Sequence, residues 1–500
     1  MILILHCICN DMRRKHKRLF GICLLAGCFL FLYGCTDSAS PSSDGVSSAV
    51  TPTVSGTMQT SEAFIGPPSV GLANIFADHM VLQRGKAVKI WGTCTGADTV
   101  TVEFKEQTKI AAVTQGVWSV YLNAMESDAE GGTLIVKADG VSDSVSDVLV
   151  GDVWLCSGQS NMEWTVANCS EEQKEKIQQL TGDSKIRLAK IPPDMSYTEE
   201  TDFEQQIVWK YSLYNNIRYN SAYASVFAAR LELELDIPIG IINSSYGGTD
   251  IEQWISKETM DSLNLQYGKP LPYNCMIMPL KGMTIKGILW YQGENNVTRS
   301  TSYTDLFNAY AAQCRADFED EQLPIVTTML DRYYDANLLK WGPFRLEQWA
   351  IAQSDPLVEI VCSIDLGDKT TIHPNDKYEL GIRAAELTLN RVYGITSLSG
   401  QSACATGVTR SGNTLLVSFE NVESGLILSS GTTVCSLVVS DANAVQHTVE
   451  GTIVGDQLCV SLEGITDPLF VRYAYDMYPE AINFYTKNGL PVAPFSLPIP

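Results

Sequence analysis

The chain has 500 residues, of which 45% are hydrophobic and 18% are charged, and its formal net charge is −22 at pH 7. The negative charge is spread along the sequence, which argues against nucleic acid and against an anionic membrane surface as partners. The histidines are isolated from one another and the cysteines form no CxxC pair, so we expect neither a metal ion nor another cofactor.

The N-terminus is predicted to be an export signal. A basic cluster, RRKHKR, precedes an apolar run of about 14 residues at 19–32, which is short for a membrane-spanning helix of roughly 20 residues. The run ends in Leu-Tyr-Gly-Cys and resembles a bacterial lipoprotein signal over 1–35, in which Cys35 becomes the lipidated residue. This implies an exported protein of the cell envelope, in the periplasm or on the cell surface, that meets the membrane through a lipid anchor alone. Tyr33 departs from the usual pattern, so ordinary cleavage and a retained anchor stay open as alternatives.

Three folded regions are predicted after the signal. Residues 36–68 read as a flexible tether, because they are rich in Ser, Thr and Pro and poor in the apolar side chains that a core needs. Short β-type runs separated by turn residues predict an all-β domain at 69–147, and the same pattern returns at 396–500. Between them, at 148–395, apolar strands alternate with helical stretches, which predicts an α/β domain on a parallel sheet. Helices are predicted over Ser221–Leu235, Tyr303–Phe318, Phe344–Ser354 and Lys377–Val392.

The stretch Gly151–Met162, with the sequence GDVWLCSGQSNM, carries the first chemical signal. An apolar run that ends in small polar residues is typical of a buried strand, which would place Ser160 on a turn into a helix at the rim of the sheet. There its hydroxyl would face solvent, and the backbone N–H groups of the turn would point at the group that it attacks. An ordinary Ser/Asn helix cap is the alternative.

Polar residues also follow the other predicted strands of this region. Ligands in open α/β sheets sit beyond the carboxyl ends of the strands, so we expect these residues to meet in one place. A serine nucleophile needs a base, for which His373 is the candidate, and donors for an oxyanion. The candidate donors are the backbone N–H groups of Ser160 and Gly248 and the side-chain amide of Gln292. Glu294 is a candidate either for contacting the substrate or for holding the loop of Gln292.

Five sequence blocks resemble those of one known family. In chain order they are GQSNM, YGGTDIEQW, YNCMIMPL, WYQGENN and IHPNDKYELGIRAAEL. They are similar to the blocks of sialate O-acetylesterases, which are carbohydrate esterases of the SGNH-hydrolase type. The resemblance implies a flavodoxin-like α/β/α domain that releases acetate from O-acetylated sugars, with 9-O-acetylated sialic acid as the type substrate. It assigns Ser160 as nucleophile, His373 as base, and Gly248 and Gln292 to the oxyanion.

One position departs from the pattern of many SGNH hydrolases. They carry an aspartate three residues before the histidine, where this chain has Thr370. Asp368 is the candidate orienting acid if its loop folds back, and Asp365 is the next carboxylate upstream. A backbone carbonyl that orients the ring of a Ser-His dyad is the alternative.

The class of substrate stays open from the sequence. A sialic acid carboxylate would be bound by an arginine, for which Arg299 and Arg332 are the candidates. A pocket without such an arginine would favour an esterase for acetylated plant polysaccharides such as xylan. A non-catalytic surface lipoprotein that binds glycans is the alternative from a different class.

Overall fold

The computed structural model describes residues 67–182, 185–299, 301–338, 340–398 and 400–500, all within the unit Ala63–Pro500. The predicted signal with Cys35, and the tether up to residue 66, lie outside the described residues. Within the described ranges, no helix is long and apolar enough to cross a membrane. The nine cysteines of these ranges are all unpaired.

The N-terminal part of the described chain is built from β strands. They are β1 (Ser69–Leu72), β2 (Val81–Gln83), β3 (Val88–Thr95), β4 (Thr99–Phe104), β5 (Gln107–Ala112), β6 (Val117–Leu122), β7 (Asp128–Ala138) and β8 (Val141–Gly158). Strands β1, β3 and β6 form one antiparallel sheet, while β4 pairs with β5 and β7, and β7 pairs with β8. Buried side chains alternate with more exposed ones along β3, as expected when one face of a sheet covers a core.

Strand β8 continues from this region into the central sheet. Its first half pairs with antiparallel β7, and its second half lies between two parallel neighbours. The segment 148–158 is buried throughout, because both faces of the sheet are covered there. The domain boundary predicted at 147/148 therefore falls inside one continuous strand, and the division into three domains stays a prediction.

The central sheet is mostly parallel and has helices on both faces. Its further strands are β9 (Ile186–Lys190), β10 (Trp209–Tyr211), β11 (Ile239–Ser245), β12 (Gly287–Tyr291), β13 (Ile325–Thr328) and β14 (Val358–Val361). The helices are α1 (Ser160–Glu163), α2 (Glu171–Leu180), α3 (Tyr214–Ile217), α4 (Ala222–Leu235), α5 (Lys257–Ser262), α6 (Tyr303–Asp317), α7 (Trp341–Ser354) and α8 (Lys377–Arg391). The four predicted helices are thus present as α4, α6, α7 and α8, and the predicted α/β class is confirmed for this part of the chain.

The order of the strands locates the crevice of the sheet. That order is β10-β9-β11-β8-β12-β13-β14, and β10 runs antiparallel to β9. Strands β11-β8-β12-β13-β14 follow the 2-1-3-4-5 order of flavodoxin-like sheets, which changes winding direction between β8 and β12. Helices α4 and α8 pack on one face with Ile241 and Leu289, while α6 and α7 pack on the other face with Ile242 and Ile288. The crevice at the carboxyl ends of β8 and β12 is where this topology favours a ligand.

The C-terminal part of the chain is again built from β strands. They are β15 (Cys404–Ser411), β16 (Thr414–Glu420), β17 (Leu426–Leu428), β18 (Leu437–Asp441), β19 (Gln446–Thr448), β20 (Gly451–Val454), β21 (Gln457–Ser461), β22 (Pro468–Tyr473), β23 (Phe484–Thr486) and β24 (Phe495–Pro498). Two four-stranded sheets, β15-β16-β21-β20 and β19-β18-β22-β24, share an apolar core that includes Leu458 and Val439. Arg345 of α7 is fully buried and donates to the backbone carbonyls of Ala474 and Met477, which joins this region to the helix.

Candidate active site

The turn after β8 presents Ser160 at the carboxyl edge of the sheet. Strand β8 ends at Gly158, whose φ of +137° favours glycine, and a Cβ there would lie 2.1 Å from the carbonyl oxygen of Tyr291. Gln159 donates its backbone N–H to the same carbonyl at 3.0 Å, and α1 begins at Ser160. The neighbouring strand β12 therefore shapes the turn that carries the predicted nucleophile.

His373 lies directly against Ser160. Nε2 of His373 and Oγ of Ser160 are 2.8 Å apart, a distance at which the imidazole can accept the hydroxyl proton. The imidazole stacks on the indole of Trp164, with 4.8 Å between the ring centroids. Partial burial, and after it the positive charge of Lys377, lower the pKa of His373. A lowered pKa favours the neutral imidazole, which is the form that acts as a base.

The structure does not bring a carboxylate to His373. Oδ1 of Asp368 accepts hydrogen bonds from the hydroxyl and the backbone N–H of Thr370, both at 2.7 Å, and these bonds lower the pKa of Asp368. Asp365 is paired with Arg383 instead. Among the described residues, Nδ1 of His373 has no hydrogen-bond partner. The prediction that Asp368 orients the histidine is therefore wrong, because this acid closes its own turn, as short Asp side chains do.

A buried polar cluster lies beneath the two reactive side chains. Asn161 donates from Nδ2 to the backbone carbonyl of Ile372 at 3.0 Å and to Oε1 of Glu294 at 2.5 Å. Its Oδ1 accepts from Nζ of Lys377 at 2.7 Å. Burial lowers the pKa of Lys377, while the neighbouring carboxylates act against that shift.

Glu294 is an acidic member of this cluster. It begins a short 3-10 turn after β12, and burial raises its pKa to about 7. Oε2 is buried without a hydrogen-bond partner among the residues that the structure describes. Glu294 is 5% exposed, so it supports the side chain of Asn161 and is not placed to contact a substrate.

Gly248 is exposed at the rim of the site, in the loop after β11. Its φ is +76°, and a Cβ there would meet no atom within 4 Å. The N–H of Gly247 is used by Glu163 at 2.8 Å, whereas in the described chain the N–H groups of Gly248 and Ser160 have no acceptor. These two N–H groups are therefore able to donate to an oxyanion at this rim.

The side chain of Gln292 is not available at this rim. It is fully buried, and its Nε2 donates to Oε1 of Gln159, Oδ1 of Asn296 and the backbone carbonyl of Thr249. These bonds use both amide hydrogens, so the predicted oxyanion role of Gln292 is corrected. Gln292 instead connects the loop after β12 to the turn before Ser160. In the same loop, the amide of Asn295 donates to the carbonyl of Gly248.

Three residues that shape the site were missed by the reasoning from sequence. They are Asn161, Trp164 and Lys377, and two of them stand inside the quoted blocks GQSNM and IHPNDKYELGIRAAEL. One signal was available. Lys377 is the first residue of a predicted helix, where the helix macrodipole disfavours a cation, so a lysine at this position suggests a specific partner.

The two arginines considered for an acidic substrate are both engaged elsewhere. Arg299 pairs with Asp250. Arg332 donates to the backbone carbonyls of Pro479 and Glu480, at 3.1 and 3.4 Å. A substrate carboxylate would have to compete with these partners.

Comparison with known proteins places this arrangement among carbohydrate esterases. Residues 150–390 match the family described as carbohydrate esterase, sialic acid-specific acetylesterase. The chain is 33% identical over 277 residues to the sialate O-acetylesterase of Homo sapiens, covering 48% of this chain and 52% of that protein. It is 28% identical over 389 residues to the one of Mus musculus, covering 62% and 71%. The chain thus spans about half the length of the human relative.

A solved structure matches over nearly the whole described fold. It is the crystal structure of a novel carbohydrate acetylesterase from Xanthomonas citri, which is 30% identical in sequence and superposes with a TM-score of 0.79. The match covers 86% of this chain and 99% of that one.

Proposed function

Because the chain belongs to the sialic acid-specific acetylesterase family of carbohydrate esterases, we propose that it is a serine esterase that removes O-acetyl groups from carbohydrates. The observation that carries this proposal is the 2.8 Å contact between Ser160 and His373 at the crevice between β8 and β12. The free N–H groups of Ser160 and Gly248 at the same rim support it. The proposed chemistry uses neither a metal ion nor an organic cofactor.

The proposed reaction runs in two halves through an acyl-enzyme. His373 takes the hydroxyl proton of Ser160 as Oγ attacks the acetyl carbonyl, and the oxyanion accepts hydrogen bonds from Ser160 and Gly248. The C–O bond to the sugar then breaks, and His373 returns the proton to the sugar alcohol. Water, deprotonated by His373, next attacks the acetyl-serine, so that acetate leaves and the hydroxyl of Ser160 is restored.

For the substrate we propose 9-O-acetylated sialic acid first, since the matching family is that of sialic acid-specific acetylesterases and the human relative is a sialate O-acetylesterase. A second candidate is an acetylated neutral polysaccharide such as xylan. It is favoured by one observation, namely that Arg299 and Arg332 are bound to Asp250 and to backbone carbonyls. A neutral substrate needs no arginine.

The experiment that tests the function is acetate release by the full chain, with Ser160→Ala alongside. The substrates are 4-nitrophenyl acetate, an O-acetylated sialoglycan and acetylated xylan. Release from the sialoglycan that disappears in Ser160→Ala is the expected result. Release from xylan alone would keep the mechanism and change the substrate. A folded chain that is silent on all three would overturn the esterase proposal and favour a glycan-binding surface protein.

For the location we propose export to the cell envelope with a lipid on Cys35. In bacteria fed an alkyne analogue of palmitate, we expect the parent chain to be labelled and to sediment with membranes. Cys35→Ala should lose both the label and the membrane fraction. Cys28→Ala, in the preceding apolar run, is the matched control and should keep both. Labelling that persists in Cys35→Ala would contradict the proposal.

A further inference from the structure

The structure holds His373 in place without an acid. In a Ser-His-Asp triad, a carboxylate on Nδ1 fixes the tautomer and the orientation of the imidazole. Here the two carboxylates of the histidine loop are engaged elsewhere, Asp368 with Thr370 and Asp365 with Arg383. Other groups must keep the imidazole within reach of the serine, because misplacement by about 1 Å can cost 100-fold in rate.

Asn161 connects the two halves of the site. It directly follows Ser160, and its Nδ2 donates to the carbonyl of Ile372, which directly precedes His373. Asn161 is 1% exposed, so water has little access to the amide that makes this hydrogen bond. A single amide therefore ties the backbone beside the nucleophile to the backbone beside the base.

Lys377 determines which way that amide points. An ammonium group only donates and a carbonyl only accepts, so the atom of Asn161 that faces Lys377 is the oxygen and the atom that faces Ile372 is the nitrogen. Lys377 is fully buried at the first position of α8, where the macrodipole disfavours a cation. Placing a cation at this position costs folding free energy. The hydrogen bond from Lys377 to Asn161 partly offsets that cost.

We propose that Asn161, oriented by Lys377, is a positioning residue that holds the His373 loop against the Ser160 turn, in place of the carboxylate of a Ser-His-Asp triad. The inference rests on the esterase function proposed above. Trp164 restricts the remaining freedom of the imidazole by stacking on its face. The hydrogen bond from Asn161 acts on the backbone at Ile372 and not on the imidazole itself. Unlike a triad carboxylate, it therefore places no negative charge on Nδ1 of His373.

Lys377 also affects the charge state of the base. Burial and Lys377 lower the pKa of His373, so the imidazole stays unprotonated, and able to accept a proton, to a lower pH than an ordinary histidine. Removing the positive charge should raise the pKa of His373 and move the acid limb of kcat/KM to higher pH. Ionisable groups that act on Lys377 are Cys169, Glu294, Asp331 and Asp376, and the ring of Tyr291 lies 5.2 Å from its Nζ. Glu163, on the turn of Ser160, accepts from the N–H of Gly247.

The first test compares two buried asparagines in the full chain. Asn161→Ala removes the tie to Ile372, and we expect kcat for 4-nitrophenyl acetate to fall about 100-fold while KM changes by less than about threefold. Asn243→Ala is the matched control, because Asn243 is fully buried in β11 and bonds to Asn220, away from the histidine loop. It should lower Tm and leave kcat unchanged. A folded Asn161→Ala with kcat within about threefold of the parent would overturn the inference.

The second test separates the charge of Lys377 from its hydrogen bond. The amide of Lys377→Gln can still donate to Asn161, so this variant removes the charge and keeps the donor. NMR titration of histidine-labelled protein, with His373→Gln used for assignment, should show a raised pKa of His373 in Lys377→Gln. Glu294→Gln controls for the other group that titrates near neutral pH, because its side-chain oxygen still accepts from Asn161.

The outcomes separate this inference from the proposed function. If the parent releases acetate and Ser160→Ala does not, the function stands, and an unchanged kcat in a folded Asn161→Ala overturns the inference alone. An unchanged His373 titration in Lys377→Gln would contradict only the effect of the Lys377 charge on the base. If Asn161→Ala does not fold, Lys377→Met decides, because it removes the donor to Asn161 as well as the charge: a kcat for 4-nitrophenyl acetate equal to that of Lys377→Gln would overturn the inference. If the parent is inactive on every ester, the proposed function is overturned and the inference with it.

Discussion

Asp368 lies two residues before Thr370 and bonds to that residue rather than to the histidine five positions along the chain. A short Asp side chain reaches the backbone two residues on without ordering any further loop, so the local bond forms at little entropic cost. His373 has no such local partner. Its neighbours are Ser160 and Trp164, at the two ends of α1, and Lys377 at the start of α8. At the residue scale, the proposed site therefore pairs Ser160 with His373 and has no carboxylate on the imidazole among the described residues.

Replacing Asp368 by Asn tests this arrangement. The amide oxygen can still accept from Thr370, so we expect kcat/KM for 4-nitrophenyl acetate to stay within about threefold of the parent, whereas loss of a triad aspartate lowers kcat about 10⁴-fold. His373→Gln serves as the reference and should abolish turnover. A loss in Asp368→Asn that approaches the loss in His373→Gln would show that this acid acts on the base after all.

At the scale of elements, strand β12 builds the site as much as β8 does. The carbonyl of Tyr291 at the end of β12 accepts from Gln159 and leaves no room for a side chain at Gly158. The following Gln292 is buried and bonds to Gln159 again. The turn that carries Ser160 is thus held by two strands that are adjacent in the sheet. Because β12 lies so close, Gly158 has no space for a Cβ beside the carbonyl of Tyr291.

Gly158→Ala should therefore lower the free energy of unfolding far more than a glycine-to-alanine change at an open position. We expect about 3 kcal/mol of lost unfolding free energy and loss of esterase activity, because the added methyl group would meet the Tyr291 carbonyl in a glycine-type conformation. Gly455→Ala is the control, since Gly455 has a φ of +63° and open space around it, and should cost about 1 kcal/mol. Urea unfolding of both variants measures the difference, and equal losses would contradict the steric explanation.

At the scale of the whole described unit, the regions are joined by a shared strand and by a buried arginine. Strand β8 runs from the N-terminal sheets into the central sheet without a break. On the other side, Arg345 of α7 donates to carbonyls at Ala474, Asp476 and Met477. The C-terminal strands thus satisfy a buried guanidinium of the central region.

Arg345→Met tests how much this connection contributes. The substitution keeps an apolar stem of similar length but leaves several backbone carbonyls without a donor, so we expect unfolding free energy to fall by about 2 to 4 kcal/mol. Arg472→Met is the matched control, because Arg472 is only partly buried and its Nε bonds to the hydroxyl of Ser496. It should cost less than about 1 kcal/mol. Thermal and urea unfolding of the two variants check the ordering.

The sequence by itself determined the α/β class, the strand-turn-helix around Ser160, and the candidates Ser160 and His373. Hydrophobic periodicity and motif blocks report on local structure and on residue type, and these features follow from both. The supporting roles could not be derived in the same way. Gln292 looks like a free amide in the sequence, but the packing of β12 against β8 buries it among three acceptors.

The tertiary structure decided which groups lie around His373. Asn161 and Ile372 are separated by 211 positions, and only the fold, which brings the loop between β14 and α8 against the turn after β8, places them within hydrogen-bond distance. The conformation of the loop between β14 and α8 determines which side chain can support the histidine. In this loop Asp368 bonds locally to Thr370, while the backbone at Ile372 accepts a long-range hydrogen bond from Asn161. The balance between local and long-range bonds is set by burial and by the partners that the fold supplies, so linear spacing does not reveal it.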